Sequence, residues 1–279
     1  KYLSEGTFEN VRPILPRGAK GVDEATDTYD TVDWLVKNVP NNNGKVGLWG
    51  ISYPGFYAGA GAVDSHPALA ASSPQAPVSD WWIGDDFHHG GAFFLEDAFN
   101  FLSGFGPVRP TPSAVGNGLS FPKPNGPVEF FLQGGSAKGL DDKYFQGRVP
   151  FWRDMIAHPD YDAFWQARSL PRTTRNVRAA MLEVGGWFDA EDCWGALNLY
   201  AANERKAKDN FLVMGPWFHG MWAGRGTGGS FGDLVFGQDT SRSYQALVEF
   251  PFFQRYLNGK DVAAPAEATV FETGVNQWR

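Results

Sequence analysis

Apolar residues in this chain fall in short blocks, parted by turns rich in glycine, proline and asparagine. Val46-Gly47-Leu48-Trp49 follows the turn-forming Asn41-Asn42-Asn43-Gly44 and reads as a short buried strand. Ala180-Met181-Leu182-Glu183-Val184 and Asn210-Phe211-Leu212-Val213-Met214 read the same way, and Ala70 to Val78 is a strand candidate punctuated by prolines. Helical spacing appears elsewhere. Tyr29, Val32, Leu35 and Val36 predict a helix over 23–38, with Asp23, Glu24 and Asp27 suited to its N-terminal end. Cys193 to about Lys206 predicts a crossover helix, Pro150 to Arg168 has helix-like periodicity, and Phe250 to Leu257 predicts a closing helix ended by Asn258-Gly259. Ala268 to Thr273 reads as one more strand. From Trp81 to Arg175 the pattern changes. Trp81, Trp82, Phe87, Phe93, Phe94, Phe99, Phe101 and Phe105 crowd a segment of helical character, and 104–127 is a loop dense in glycine and proline, of the length that lids and binding loops have.

The first strand runs into Gly50-Ile51-Ser52-Tyr53-Pro54-Gly55. A sharp strand-to-helix turn that lifts a serine above a sheet needs small residues beside it, and Gly50 stands two before Ser52 as required. The second glycine falls three after the serine, so the G-x-S-x-G pattern is partly met; Pro54 suits the first helical turn, where its N–H is not needed. Downstream, two segments share one plan of apolar strand, glycine turn, aromatic pair and functional side chain: Gly185-Gly186-Trp187-Phe188-Asp189 and Gly215-Pro216-Trp217-Phe218-His219. Serine, acid and histidine in that order match the triad of α/β-hydrolases, and all three would lie at the carboxyl ends of parallel strands. The reading is an α/β fold split by an insertion: 1–80 the first part of the hydrolase domain, 81–175 a helical cap, 176–263 the second part.

Composition narrows the function classes. With 279 residues, 43% hydrophobic and 15% aromatic, the chain can bury a large core. A formal charge of −7 argues against nucleic acid or an anionic membrane as the main partner, and no apolar run approaches the roughly 18 residues of a membrane span. The single cysteine, Cys193, excludes an internal disulfide, and no motif around it suggests a nucleophile. Asp85, Asp86, His88 and His89 raise a metal site, but they form one short run without a distant partner motif, so no metal and no cofactor are expected. His66-Pro67 and His158-Pro159 read as turns.

Five motifs in order carry a more specific resemblance: residues 50–55, Ser65-His66-Pro67-Ala68-Leu69, Gly84-Asp85-Asp86-Phe87-His88-His89, Trp187-Phe188-Asp189-Ala190-Glu191-Asp192, and residues 215–219. From about Asp23 onward the chain resembles the α-amino acid ester hydrolases, within the group that holds cocaine esterase, glutaryl acylases and X-Pro dipeptidyl peptidases. The resemblance implies a Ser52–Asp189–His219 triad, the assignment that spacing also supplies. It implies a small-molecule ester or amide as partner, and a periplasmic or secreted location, although the chain shows no signal-like segment. The Tyr53 N–H, next after the nucleophile, would donate to the oxyanion. A second donor is implied, a tyrosine hydroxyl upstream of the elbow; the context of Tyr2 does not match it, so strands ahead of Lys1 are expected to carry it. Asp86, Glu191 and Asp192 match the carboxylates that hold a substrate ammonium, while Glu191 and Asp192 also suit the start of the helix near Cys193. Asp85 is read as structural. The family pattern further makes 264–279 the first strand of a β-sandwich domain, truncated here, with an exposed pairing edge. Other acyl preferences on the same fold (simple esters, glutaryl amides, dipeptide amides) and a catalytically silent binding protein stay open, as does assembly into a homo-oligomer.

Overall fold

The computed structural model describes residues 5, 6 and 12–279; Tyr2 lies outside them. Among the described residues, six strands build the main sheet, and their order across it is their order along the chain: β1 (Val46–Ser52), β2 (Leu69–Pro77), β3 (Ala180–Gly186), β4 (Asn210–Gly215), β5 (Ala268–Glu272) and β6 (Gln277–Trp278). The first five are parallel, and β6 returns antiparallel on β5. The helices that matter for the site are α1 (Glu24–Asn38), α2 (Tyr53–Gly61), α3 (Leu95–Phe105), α4 (Pro127–Gly134), α5 (Pro150–Ala157), α6 (Cys193–Asn203) and α7 (Phe250–Tyr256). Parallel neighbours need crossovers, and α2 and α6 supply them between β1 and β2 and between β3 and β4.

Strand alternation decides which helix covers which face. On β1, Val46 and Leu48 pack with Val32 of α1 and Ala62, whereas Gly47 faces Phe253 and Leu257 and Ile51 joins the Trp217, Trp222 and Phe252 cluster. On β3, Leu182 and Val184 join that second cluster, while Glu183 and Gly185 point at Asn203 and Ala196 of α6. The sheet is thus covered on both faces, so even its polar residues Ser72, Ser73, Gln75 and Glu183 are buried. Helix α1 begins as its sequence indicates: the Asp23 carboxylate accepts the Thr26 N–H at 2.8 Å and the Thr26 hydroxyl accepts the Asp23 N–H at 2.9 Å, a reciprocal cap.

Three expectations change. Between β2 and β3, only 95–105 of the early aromatic segment is helical. Residues 81–87 are turns, with Asp86 at positive φ, and His88–His89 then pairs with Ala92–Phe93 across a turn of Gly90 and Gly91, both at positive φ. The aromatics of the insertion pack in one core with Phe56 and Ala60 of α2, with Phe99 stacked on Phe145 at 4.5 Å and edge-on to Trp152 at 5.8 Å. The closing helix is longer than its sequence pattern: Thr240–Tyr244 and a π-helical turn, Gln245–Glu249, lead into α7. Pro251 cannot donate an N–H, and the wider turn ahead of it gives its ring room. Finally, residues 264–279, expected to open a separate β-sandwich with a bare edge, extend the main sheet instead. Leu212, Val213 and Met214 pair with Ala268, Thr269 and Val270, and β6 pairs with the other side of β5. Val270 packs beside Met214, so the burial that recruits this strand comes from α6 and β4.

Candidate active site

Ser52 ends β1 with φ 68° and ψ −129°, a left-handed conformation that costs a residue with a side chain about 1–3 kcal/mol. The strain is held by close packing that only glycine allows. A Cβ on Gly50 would stand 2.3 Å from the Pro54 carbonyl oxygen, and one on Gly55 2.5 Å from that of Gln75. The glycine three after the serine therefore serves packing of α2 against β2, which explains the altered motif spacing. Tyr53 starts α2, so its N–H lies in the first turn of the helix, directly after Ser52. Its ring packs edge-on against Trp81 and Phe101, and its hydroxyl accepts from Tyr57 at 2.6 Å.

The loops after β3 and β4 are stitched together. Trp187 N–H donates to the Gly215 carbonyl at 2.9 Å, and Phe188 N–H to the Trp217 carbonyl at 3.0 Å. Gly186 and Gly215 are required there, because a Cβ on either would meet Trp217 at 2.2 or 2.3 Å. Trp217 is itself buried and donates from Nε1 to Thr240 Oγ1 at 2.8 Å. This stitching brings Asp189 Oδ2 to 2.9 Å from His219 Nδ1. Gly220, the next residue, meets β1: a Cβ there would lie 3.7 Å from Ile51 Cγ2, beside Ser52. Serine, aspartate and histidine thus gather at the carboxyl end of the sheet.

Carboxylates crowd the same place. Asp189 Oδ1 accepts the N–H groups of Glu191 and Asp192, each at 2.9 Å. Asp192 occupies the position before α6 yet does not cap it; its side chain is fully buried, and neither oxygen receives an N–H or O–H donor among the described residues. A proton shared with the neighbouring Asp86 carboxyl is the bond open to it. Burial, then the charges of Asp86, Asp85, Asp189 and Glu191, push the Asp192 pKa well up. Asp86, at φ 45° and held by its N–H on the Glu191 carbonyl at 3.3 Å, is pushed up to about 7 by burial and then by the Glu191 charge. Glu191 is half-exposed, its Oε2 3.7 Å from His219 Nε2. Burial draws the His219 pKa down, but the Asp189 hydrogen bond and the surrounding negative charge overcome it and hold it above its ordinary value.

The remaining polar residues fall outside this group. Asp85 Oδ2 accepts from Ser79 N–H, Ser79 Oγ and Asp80 N–H, a structural role. His88 is buried among Trp82, Phe93 and Trp165, with Nδ1 3.0 Å from the Trp81 carbonyl. His66 accepts the Ala68 N–H in its turn, and His158 stacks on Phe164. Glu191, Asp192 and His219 offer ligand atoms within 4.8 Å of one another, close enough for a cation to bridge. Arg225, which the sequence pattern did not single out, lies over Gly220, its Nη1 3.7 Å from where a Cβ would be. Its one signal in the chain was its setting, Gly224-Arg225-Gly226, shortly after His219.

Residues 1–221 match the family model described as X-Pro dipeptidyl-peptidase (S15 family). The chain is 27% identical over 295 residues to the cocaine esterase of Rhodococcus sp. (strain MB1 Bresler), across 99% of this chain and 48% of that protein. An aminopeptidase from the marine sediment archaeon Thaumarchaeota archaeon superposes with a TM-score of 0.86 at 33% identity, covering 97% of this chain and 44% of the other. An α-amino acid ester hydrolase does so with 0.81 at 36% identity, covering 93% and 42%. A CocE/NonD family hydrolase from Staphylococcus aureus shares the fold at 16% identity, with a TM-score of 0.52 over 88% and 35%. The chain spans less than half the length of each of these relatives. Sheet order, elbow and superpositions agree on the α/β-hydrolase fold. With 1–221 matched, the chain belongs to the X-Pro dipeptidyl-peptidase (S15) family.

Proposed function

We propose that this protein is a serine hydrolase that cleaves or transfers acyl groups of esters and amides through an acyl-enzyme, with a preference for acyl groups bearing a free α-amine. The observation that carries the reading is Asp189, whose one oxygen faces His219 and whose other fixes the loop of Glu191 and Asp192. Catalytic base and acidic pocket share one support.

In this reading Ser52 Oγ attacks the acyl carbonyl while His219 Nε2 takes its proton, and Asp189 holds the imidazole by Nδ1 and stabilises the imidazolium. The Tyr53 N–H donates to the oxyanion at the start of α2, where the helix dipole also favours negative charge. His219 then protonates the leaving group, and water reverses the sequence to release the acid. Asp86, Glu191 and Asp192 bind the substrate ammonium. Their raised pKa values support this, because a cation relieves the mutual repulsion that keeps protons on them. The likeness to an aminopeptidase and to an α-amino acid ester hydrolase points the same way.

A fluorophosphonate probe tests the covalent step. Mass spectrometry is expected to find the adduct on Ser52 and none in Ser52→Ala; an adduct elsewhere, or none on a folded protein, contradicts the assignment and favours a silent binding protein.

A further inference from the structure

We infer that Arg225 forms a carboxylate-binding subsite on the leaving-group side, so that short peptides with a free C-terminal carboxylate are the best amide substrates. The inference rests on the amine-directed hydrolase reading above and adds the other end of the substrate.

Position comes first. Gly220 (φ 72°) and Gly224 (φ 90°) bracket a single helical turn, Met221–Ala223. Trp222 within that turn is buried, donates to Gln75 Oε1 at 2.7 Å and lends its carbonyl to Gln245 Nε2 at 2.6 Å. Arg225 therefore leaves a rigid anchor. Its side chain folds back over Gly220, with Cδ 3.8 Å and Nη1 3.7 Å from the position a Cβ would take. That same position is 3.7 Å from Ile51 Cγ2, so the guanidinium sits at the seam between the residue after His219 and the residue before Ser52. In the proposed reaction His219 protonates the departing amine, and Gly220, over which the guanidinium lies, is the next residue in the chain.

Charge comes second. Arg225 makes no hydrogen bond or ion pair among the described residues. After His219, it is the cation whose field eases the ionisation of Glu191. A leaving group ending in a carboxylate would otherwise enter beside Asp86, Asp189, Glu191 and Asp192 and be repelled. An unpaired guanidinium offers a carboxylate two parallel N–H donors, and Arg225 is near enough to the acids for its charge to act on Glu191.

The test compares phenylglycyl-glycine with phenylglycyl-glycinamide, using the full-length protein, Arg225→Gln and Arg225→Lys, each checked for folding by thermal unfolding. The wild type is expected to favour the free acid by about five- to tenfold in kcat/KM, through KM. Arg225→Gln removes the preference and Arg225→Lys keeps part of it. Equal use of acid and amide by the wild type, or a preference that survives in Arg225→Gln, overturns the subsite. Phenylglycine methyl ester separates the two claims: if the wild type cleaves it but ignores the carboxylate, only the subsite fails, and if none of the three is cleaved, the hydrolase reading fails with it.

Discussion

Asp189 holds Asp192 by the backbone: its Oδ1 accepts the Asp192 N–H at 2.9 Å, while its Oδ2 stands the same distance from His219 Nδ1. A buried carboxylate so placed links His219, the proposed base, to the acidic loop of Glu191 and Asp192. Asp189→Asn separates its two duties, since an amide oxygen can still accept from the loop while the NH2 forces the wrong histidine tautomer. We expect turnover to fall about 10³- to 10⁴-fold with KM for α-amino esters little changed. Steady-state kinetics check this, and a variant within tenfold of wild type speaks against the triad role.

Glu191 faces the other imidazole nitrogen, and its charge helps hold the His219 pKa above the ordinary value. Removing that charge by Glu191→Gln destabilises the imidazolium. The acid limb of the kcat/KM profile for an ester without an amine should therefore move to lower pH. A limb that stays or rises contradicts the coupling.

Glu183 shows the same physics away from the site. It is fully buried beneath α6, accepts one hydrogen bond from Asn203 Nδ2 at 2.9 Å, and burial pushes its pKa from 4.5 up to about 8. A carboxyl that holds its proton more tightly when folded contributes stability that is complete below pH 4.5 and is lost as pH rises to about 8. Glu183→Gln keeps the acceptor and removes the titration. It should be more stable than wild type at pH 8–9, by up to about 5 kcal/mol, and similar at pH 4. Denaturant melts at the two pH values decide it; a variant less stable at both contradicts the reading.

Most of the proposed site was legible because it rests on local sequence chemistry. Gly50, Gly186 and Gly215 stand where a Cβ would strike backbone or ring, and such sites leave a mark in a single chain. Asp189 and His219, which meet at 2.9 Å, stand out in the chain because apolar strands followed by Gly-aromatic turns repeat. Illegible were features set by distant partners. Ala268–Glu272 reads as a strand, but only its pairing with β4 assigns it to the main sheet. Gln75, buried mid-strand, reveals nothing in sequence of its bonds to Trp222, Tyr244 and Glu249. The aromatics at 81–94 have no period that separates a helix from the turns they occupy.

The elbow stores strain at Ser52. Ser52→Gly relieves the positive φ, at the cost of a more flexible unfolded chain, and should raise stability by about 1 kcal/mol while abolishing turnover. Chemical denaturation measures it; a destabilised variant contradicts the claim of strain.

The central claim is that a serine acyl-enzyme site selects a free α-amine through buried carboxylates. The most direct measurement is the ratio of kcat/KM for phenylglycine methyl ester over phenylacetic methyl ester, in wild type and Asp86→Asn, from pH 5 to 8. Asp86 titrates near 7, so the wild-type ratio should exceed tenfold and climb as pH rises through that value, for as long as the substrate amine stays protonated. Asp86→Asn should flatten it toward one. A wild-type ratio near one at every pH, or an Asp86→Asn profile that follows the wild type, would contradict the account.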